Sequence, residues 1–180
     1  FMGFAFSNAG GGGSNLAQFQ VGFASLDPYG ALTAPFRDML VATGLDVELV
    51  IDDQIEAARG RVASGELDAL VILPSGFSKQ LLEARNALTV EVVLDESTLD
   101  SQQGGQFIRS AYFRTMNIAQ VAYLGVETSR LLKPYSSESE RRAALEAGVE
   151  KATAAWMSTP LSAQFRKTAD QQMAEGEKPN

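Results

Sequence analysis

The side chains of this chain that could do chemistry are carboxylates, amines, phenols and hydroxyls, because its 180 residues include no cysteine and no histidine. This composition excludes a thiolate nucleophile, a Ser-His-Asp triad, a disulfide framework and any metal site built from cysteine or histidine. Acid–base work by paired carboxylates and metal binding by oxygen ligands remain. Asp52 and Asp53 are the adjacent carboxylates that such chemistry would use.

A structural interpretation of this acidic pair is simpler. Asp53 and Glu56 have the spacing of a capping box, in which side-chain oxygens accept hydrogen bonds from the first free amides of a helix. The glutamates within residues 138–150 are interleaved with arginines, a pattern typical of a solvated helix face with intrahelical ion pairs. We therefore expect no catalytic residue, no metal site and no enzymatic activity.

The glycine-rich segment Gly10–Gly13 does not have the sequence context of a phosphate-binding loop. Such a loop follows a strand and leads directly into a helix, whose first amides face the phosphates. Here the glycines are followed by Ser14 and a β-rich segment, which is the composition of a flexible tether. We expect no nucleotide and no other cofactor. The net charge of −7, without a basic stripe, also argues against binding to nucleic acid.

The elements that must position the polar residues alternate between strand and helix. Strands are predicted where β-forming residues cluster or alternate, and helices where apolar residues recur every three or four positions. The predicted strands are Gln18–Leu26, Leu45–Ile51, Leu67–Leu73 and Leu88–Leu94, and the predicted helices are Ala31–Thr43, Gln54–Ser64 and Phe77–Ala84. This order predicts an α/β fold with flanking helices and a four-stranded, mainly parallel sheet in the order 2-1-3-4. Leu67–Leu73, as the most apolar strand, is expected inside the sheet.

The chain becomes helical after the fourth strand. A long helix is predicted over Gln106–Lys133, with Asp100 and Gln103 as a capping box before it and Pro134 as its stop. Its most apolar part, Met116–Val126, is about eleven residues long, which predicts a buried helix because a membrane span needs ~20. The next helix is predicted to begin with a second capping box, to reach about Met157, and to be followed by one more helix. The capping residues are Ser137 and Glu140, and the last helix starts at Pro160.

These patterns divide the chain into three parts. Residues 1–16 are expected to be a tether or the tail of a membrane helix, residues 17–100 the α/β layer, and residues 101–180 the long helix and further helices of the same domain. The apolar segment Phe1–Phe6 and the polar segment Glu175–Asn180 favour the interpretation that both ends are cuts from a longer chain.

The predicted topology collects one group of polar residues at an edge of the sheet. Where the first strand lies between the second and the third, the strand order reverses, and ligands of such sheets bind at the carboxyl ends of the flanking strands. The candidate contact patch consists of Asp27, Tyr29, Ser75, Gly76, Asp95 and Ser97. It contains no nucleophile beside a base, so it predicts a binding or contact surface. Ordinary turns and helix caps use the same residue types, and this interpretation also stays open.

The residues around the third strand have a familiar order. A helix is followed by Gly65, Glu66, the apolar strand Leu67–Leu73 and the turn Pro74–Phe77. This order resembles the large extracytoplasmic domain of type-2 ATP-binding-cassette (ABC) exporter permeases, whose third strand ends in a Pro-x-Gly-Phe turn.

Flanking segments extend the resemblance to about residues 17–133. Val21–Asp27 is similar to the first strand of that family, and Val90–Ser97 is similar to its fourth strand, which precedes a long helix. Arg85–Ala87 departs from the family pattern, since relatives often carry glycine there.

The resemblance implies a domain between two membrane helices of an export permease, on the extracytoplasmic side of the cell membrane, that shapes or gates the exit path. It implies three partners: a cytoplasmic ATP-binding subunit or domain, the membrane through flanking spans, and a second permease in a dimer. The alternative is a free-standing α/β protein that binds a small ligand with the loops at the switch point, where the strand order reverses.

Overall fold

A computed structural model describes residues 19–83, 89–94 and 99–158 of the chain, without the side chains of residues 99 and 100. In chain order the elements are β1 (Gln20–Ser25), α1 (Thr33–Ala42), β2 (Asp46–Val50), α2 (Ile55–Ala63), β3 (Ala69–Leu73), α3 (Phe77–Leu82), β4 (Glu91–Leu94), α4 (Leu99–Leu132) and α5 (Glu138–Ser158). The predicted strands and helices of the described residues are present, with shorter strands and with α4 starting earlier. The helix predicted from Pro160 and the residues of the tether lie outside the described residues.

The four strands form one sheet in the order β2-β1-β3-β4, as the sequence predicts. β1 pairs in parallel with β2 on one side and with β3 on the other. β4 lies beside β3 and runs antiparallel to it. An antiparallel edge strand on an otherwise parallel sheet is common in α/β folds, so the mainly parallel architecture is confirmed.

Burial on both faces explains the composition of β3. All five of its residues are buried, which confirms its predicted place inside the sheet. One face packs with α2 in an aliphatic cluster. Its buried members are Ala24, Val50, Ala58, Val62, Leu67, Leu70 and Ile72. Full burial of a valine, leucine or isoleucine side chain contributes about 1.5–3 kcal/mol through the removal of apolar surface from water.

The other face of the sheet carries aromatic packing centred on Phe36 of α1. Its ring centroid lies 6.1 Å from that of Phe23 on β1, 5.9 Å from that of Phe77 and 6.4 Å from that of Tyr112 on α4. The Phe23 and Tyr112 rings meet it edge to face, a favoured arrangement for aromatic pairs. This cluster fixes α1 against the sheet.

Two predicted helix starts are wrong. A 3-10 turn occupies Asp52–Gln54, and α2 begins at Ile55 without a side-chain cap. Backbone carbonyls accept the hydrogen bonds of this turn instead: Gln54 N donates to the Ile51 carbonyl at 2.9 Å, and Ile55 N, an amide that Asp53 would have capped, donates to the carbonyl of Asp52. Likewise, α4 begins at Leu99, so Asp100 lies inside its first turn and is not the predicted N-cap.

The predicted cap of α5 is confirmed. Ser137 Oγ accepts a hydrogen bond from Glu140 N at 3.2 Å. The Glu140 carboxylate accepts from both Ser136 N, at 2.7 Å, and Ser136 Oγ, at 2.5 Å, one residue earlier than in a standard capping box. These bonds lower the pKa of Glu140.

The chain divides into two compact units. Among the described residues, the first unit holds 19–77, 89–94 and 99–115, and the second holds 78–83 and 116–158. In the second unit, α4 and α5 approach closely, since a Cβ placed on Gly148 would stand only 3.2 Å from that of Ala122.

The predicted buried helix Met116–Val126 is buried on one face. Its buried residues are Ile118, Ala119, Ala122 and Val126, whereas Val121 and Leu124 are exposed. No helix within the described ranges combines the length and the apolarity needed to cross a bilayer.

Candidate functional site

The loops that follow β1 and β3 start side by side at one end of the sheet. Ser25 and Leu73 are paired in the last step of the parallel ladder. Leu26 N then donates to the Leu73 carbonyl at 2.9 Å, which continues the pairing past the end of β1. The switch point predicted from the sequence is therefore present, because β1 lies between β2 and β3 and its loop adjoins that of β3.

Backbone and side-chain hydrogen bonds hold the loop between β1 and α1 in a tight turn. The Asp27 carbonyl accepts from Gly30 N at 3.0 Å and from Thr33 Oγ1 at 2.6 Å, and Asp27 N donates to Ser25 Oγ at 3.1 Å. The turn places Tyr29 at its tip, where its side chain is 98% exposed. A fixed turn with an exposed phenol can contact a partner at little entropic cost.

The loop between β3 and α3 is a second fixed turn. Phe77 N donates to the Pro74 carbonyl at 3.2 Å, and Gly76 has φ of 70°, a conformation that favours glycine. Phe77 is fully buried beneath it, while Ser75 is exposed. Burial of Phe77 anchors the turn, so the Ser75 hydroxyl is held at the surface next to the loop that carries Tyr29.

The described part of the predicted patch comprises Asp27, Tyr29, Ser75 and Gly76, and the structure brings their two loops together. Asp95 and Ser97 lie outside the described residues. Leu94, the last described residue before them, pairs with Ala69 at the start of β3. This pairing is at the opposite end of β3 from Leu73, because β4 is antiparallel.

The described patch offers hydrogen bonding and aromatic contact. Its single carboxylate, Asp27, is half-buried and has no second carboxylate near it in the chain. Nowhere in the described ranges do three or more carboxylates gather in a way that could hold a metal ion. That no cofactor or metal binds elsewhere stays a prediction.

A cleft of about 420 Å³ at the α4–α5 turn has no counterpart in the sequence predictions. It is lined by Arg130, Pro134, Tyr135, Ser136, Ser137, Glu138 and Arg141. The guanidinium of Arg141 bonds to Glu138 at 3.1 Å and to Glu127 at 3.2 Å, and Arg130 lies 3.4 Å from Glu127. Both cations of the cleft are therefore paired with carboxylates. The helix stop at Pro134 is the sequence signal that marks this turn.

Two further arginines join α2 to the strands at both edges of the sheet. Arg59 bonds to both carboxylate oxygens of Glu91 on β4, at 2.6 and 2.9 Å. Arg61 makes a two-pronged ion pair with Glu48 on β2 and bonds to Glu66 at 2.8 Å. These hydrogen bonds lower the pKa of Glu91 and of Glu48 below their ordinary value, although partial desolvation opposes the shift.

No protein-family model, curated protein or solved structure matches this chain. A functional proposal therefore rests on the fold, on the site and on the residues that carry the resemblance.

Proposed function

We propose that the chain is the extracytoplasmic domain of an ABC-type export permease. In this proposal the domain lies between two membrane spans and shapes or gates the exit path. ATP is hydrolysed by a separate cytoplasmic subunit or domain, and the permease works as a dimer. The chain itself catalyses no step.

The stretch Gly65–Phe77 is the observation that carries the proposal. Gly65 has φ of 76° after α2, as a glycine that ends a helix requires. The following strand is buried throughout, and the turn after it buries Phe77. The resemblance is thus supported by a structural reason for the glycine, for the apolar strand and for the aromatic residue of the turn.

The described contact patch gives the proposed domain a surface with which to work. Tyr29 and the exposed Leu26 lie on the loop after β1, beside the exposed Ser75 on the loop after β3. Exposed aromatic and apolar side chains beside hydroxyl groups are typical of contact surfaces. We infer that this patch meets another part of the transporter during export.

Thiol labelling of the whole permease tests the proposed side of the membrane. The 180 residues contain no cysteine, so Tyr29→Cys would be the only thiol in this segment once any cysteines outside it are replaced by serine. We expect a membrane-impermeant maleimide to label Tyr29→Cys in intact cells as fully as after lysis, because this position is almost completely exposed.

Val71→Cys is the matched control, since Val71 is fully buried on β3 and should react only after denaturation. Labelling of Tyr29→Cys that needs lysis would contradict an extracytoplasmic location. Recovery of the parent protein in the soluble fraction would contradict the permease proposal and favour a free-standing α/β ligand-binding protein.

The alternative is a free-standing α/β protein that binds a small ligand. The observation in its favour is the Leu26–Leu73 hydrogen bond, which brings the two switch-point loops together as in ligand-binding α/β sheets. Such a protein would show a ligand-dependent rise in melting temperature that Tyr29→Ala reduces.

A further inference from the structure

The strand β2 has two unlike faces at the edge of the sheet. Val50 packs in the aliphatic cluster with α2, and Glu48 pairs with Arg61 of α2, so even-numbered residues of β2 face α2. The odd-numbered residues face the side of α1. There Leu49 is 64% exposed and Ile51, just after the strand, is 59% exposed. One face of the edge is therefore acidic and the other is apolar.

The backbone of β2 also leaves bonding groups unpaired within the described residues. Asp46 N donates to the Phe19 carbonyl at 3.1 Å, and Asp46 pairs with Gln20 in the parallel register. Because bonding direction alternates along a strand, the amides of Val47 and Leu49 point away from β1. No described strand lies beyond β2. This edge can accept an added strand.

The charge around the edge is strongly negative. Residues 46–53 contain four carboxylates and no lysine or arginine. Arg61, the arginine of α2 that bonds to this strand, is shared between Glu48 and Glu66. Asp46, Asp52 and Asp53 are exposed around the ends of the strand. A strand that pairs here gains the most electrostatic stabilisation if its side chains are basic.

A second copy of this chain is a poor occupant. Antiparallel pairing of β2 with its own copy would bring the same acidic residues together, and like charges opposite each other destabilise a strand pair. The net charge of −7 per chain adds to this repulsion.

We propose that the outer edge of β2 binds an extended segment of a partner protein in which apolar and basic residues alternate. The segment adds a fifth strand by bonding to the free groups of Val47 and Leu49. Its apolar residues pack on Leu49 and Ile51, and its lysines or arginines face the acidic side of the strand. This surface shares no residue with the candidate contact patch and does not depend on the proposed transport function.

Synthetic peptides test the alternation. The probe is a fluorescent nonapeptide of alternating lysine and valine, and the controls are a glutamate–valine peptide and a peptide that places all lysines before all valines. We expect the alternating basic peptide to bind the 180-residue chain at least about tenfold more tightly than either control, by fluorescence anisotropy at 0.15 M salt. If the peptide with all lysines before all valines binds as tightly as the alternating peptide, the attraction is one of non-specific charge and the proposal is overturned. Failure of the alternating basic peptide to bind would also overturn it.

Three variants locate the site. Leu49→Pro removes an outward amide without removing a bond to β1, a position at which edge strands accept proline. It should weaken binding at least about tenfold, whereas Leu49→Thr, which keeps the amide, should weaken it less. Circular dichroism checks that Leu49→Pro is folded.

The triple variant Asp46→Asn, Asp52→Asn, Asp53→Asn leaves the fold's contacts intact and should also weaken binding. Unchanged binding by this variant overturns the proposal even where Leu49→Pro does not fold.

Discussion

At the scale of single residues, two neighbouring glycines of α4 have opposite surroundings. A Cβ on Gly104 would overlap the buried ring of Phe19, whereas a Cβ on Gly105 would stand 3.5 Å from Leu94 Cδ2, an ordinary contact. We expect Gly104→Ala to lower the free energy of unfolding by about 1–3 kcal/mol, because the ring must move in a packed interior.

Gly105→Ala is the matched control. It should be neutral or stabilise the protein by up to about 1 kcal/mol, since alanine favours a helix interior over glycine. Urea unfolding followed by circular dichroism measures both variants. Equal effects of the two substitutions would mean that Phe19 does not pack against α4. The sequence does not distinguish these glycines, because Phe19 is far from them along the chain.

At the scale of elements, the pair Arg59–Glu91 ties α2 to β4 and should make stability depend on pH. The Arg59 hydrogen bonds lower the pKa of Glu91 in the folded protein. Because the pKa of Glu91 is lower in the folded than in the unfolded protein, the ionised carboxylate stabilises the fold fully at pH values above the unfolded pKa of ~4.3. This stabilisation is lost as the pH falls through the pKa of the folded protein. We expect Glu91→Gln to make the loss of stability on acidification, from about pH 5 to pH 3, shallower.

A double-mutant cycle isolates this contact. At pH 7 the effect of Glu91→Gln should be small, because the pair is half exposed. In an Arg59→Gln background, Glu91→Gln should no longer change the acid dependence measured by thermal unfolding. A persistent change there would assign the lowered pKa to another group.

Local patterns were sufficient to predict most of the elements and the strand order. The apolar run at Leu67–Leu73 and the turn after it predict a buried inner strand, and crossover rules place β1 between β2 and β3. The cap at Asp53 was predicted wrongly, because backbone carbonyls took the place of the side chain. Contacts such as Arg59–Glu91 join residues far apart in sequence, so no local spacing signals them. The cleft at the α4–α5 turn is built from residues close together in sequence, and Pro134 marks the turn, but the sequence does not give the shape that the turn adopts.

At the scale of the whole molecule, charge separates this chain from proteins that bind polyanions. Its net charge is −7, and the arginines of α2 and of the α4–α5 turn are paired with carboxylates. A free anion approaching these arginines must compete with carboxylates that are already bonded to them. The acidic residues of 45–68 add a repulsive field to this competition.

The proposed transport function places ATP on a separate subunit, and we therefore expect the 180-residue chain to bind no nucleotide. The glycine tract Gly10–Gly13 precedes β1 in sequence, whereas a phosphate loop precedes a helix whose amides and dipole face the anion. Isothermal titration with magnesium–ATP and with NAD at about 0.15 M salt should give only heats of dilution. Saturable micromolar binding of either nucleotide would contradict this prediction. Loss of that binding on replacing Gly10–Gly13 by alanines would identify the tract as a phosphate site rather than a tether.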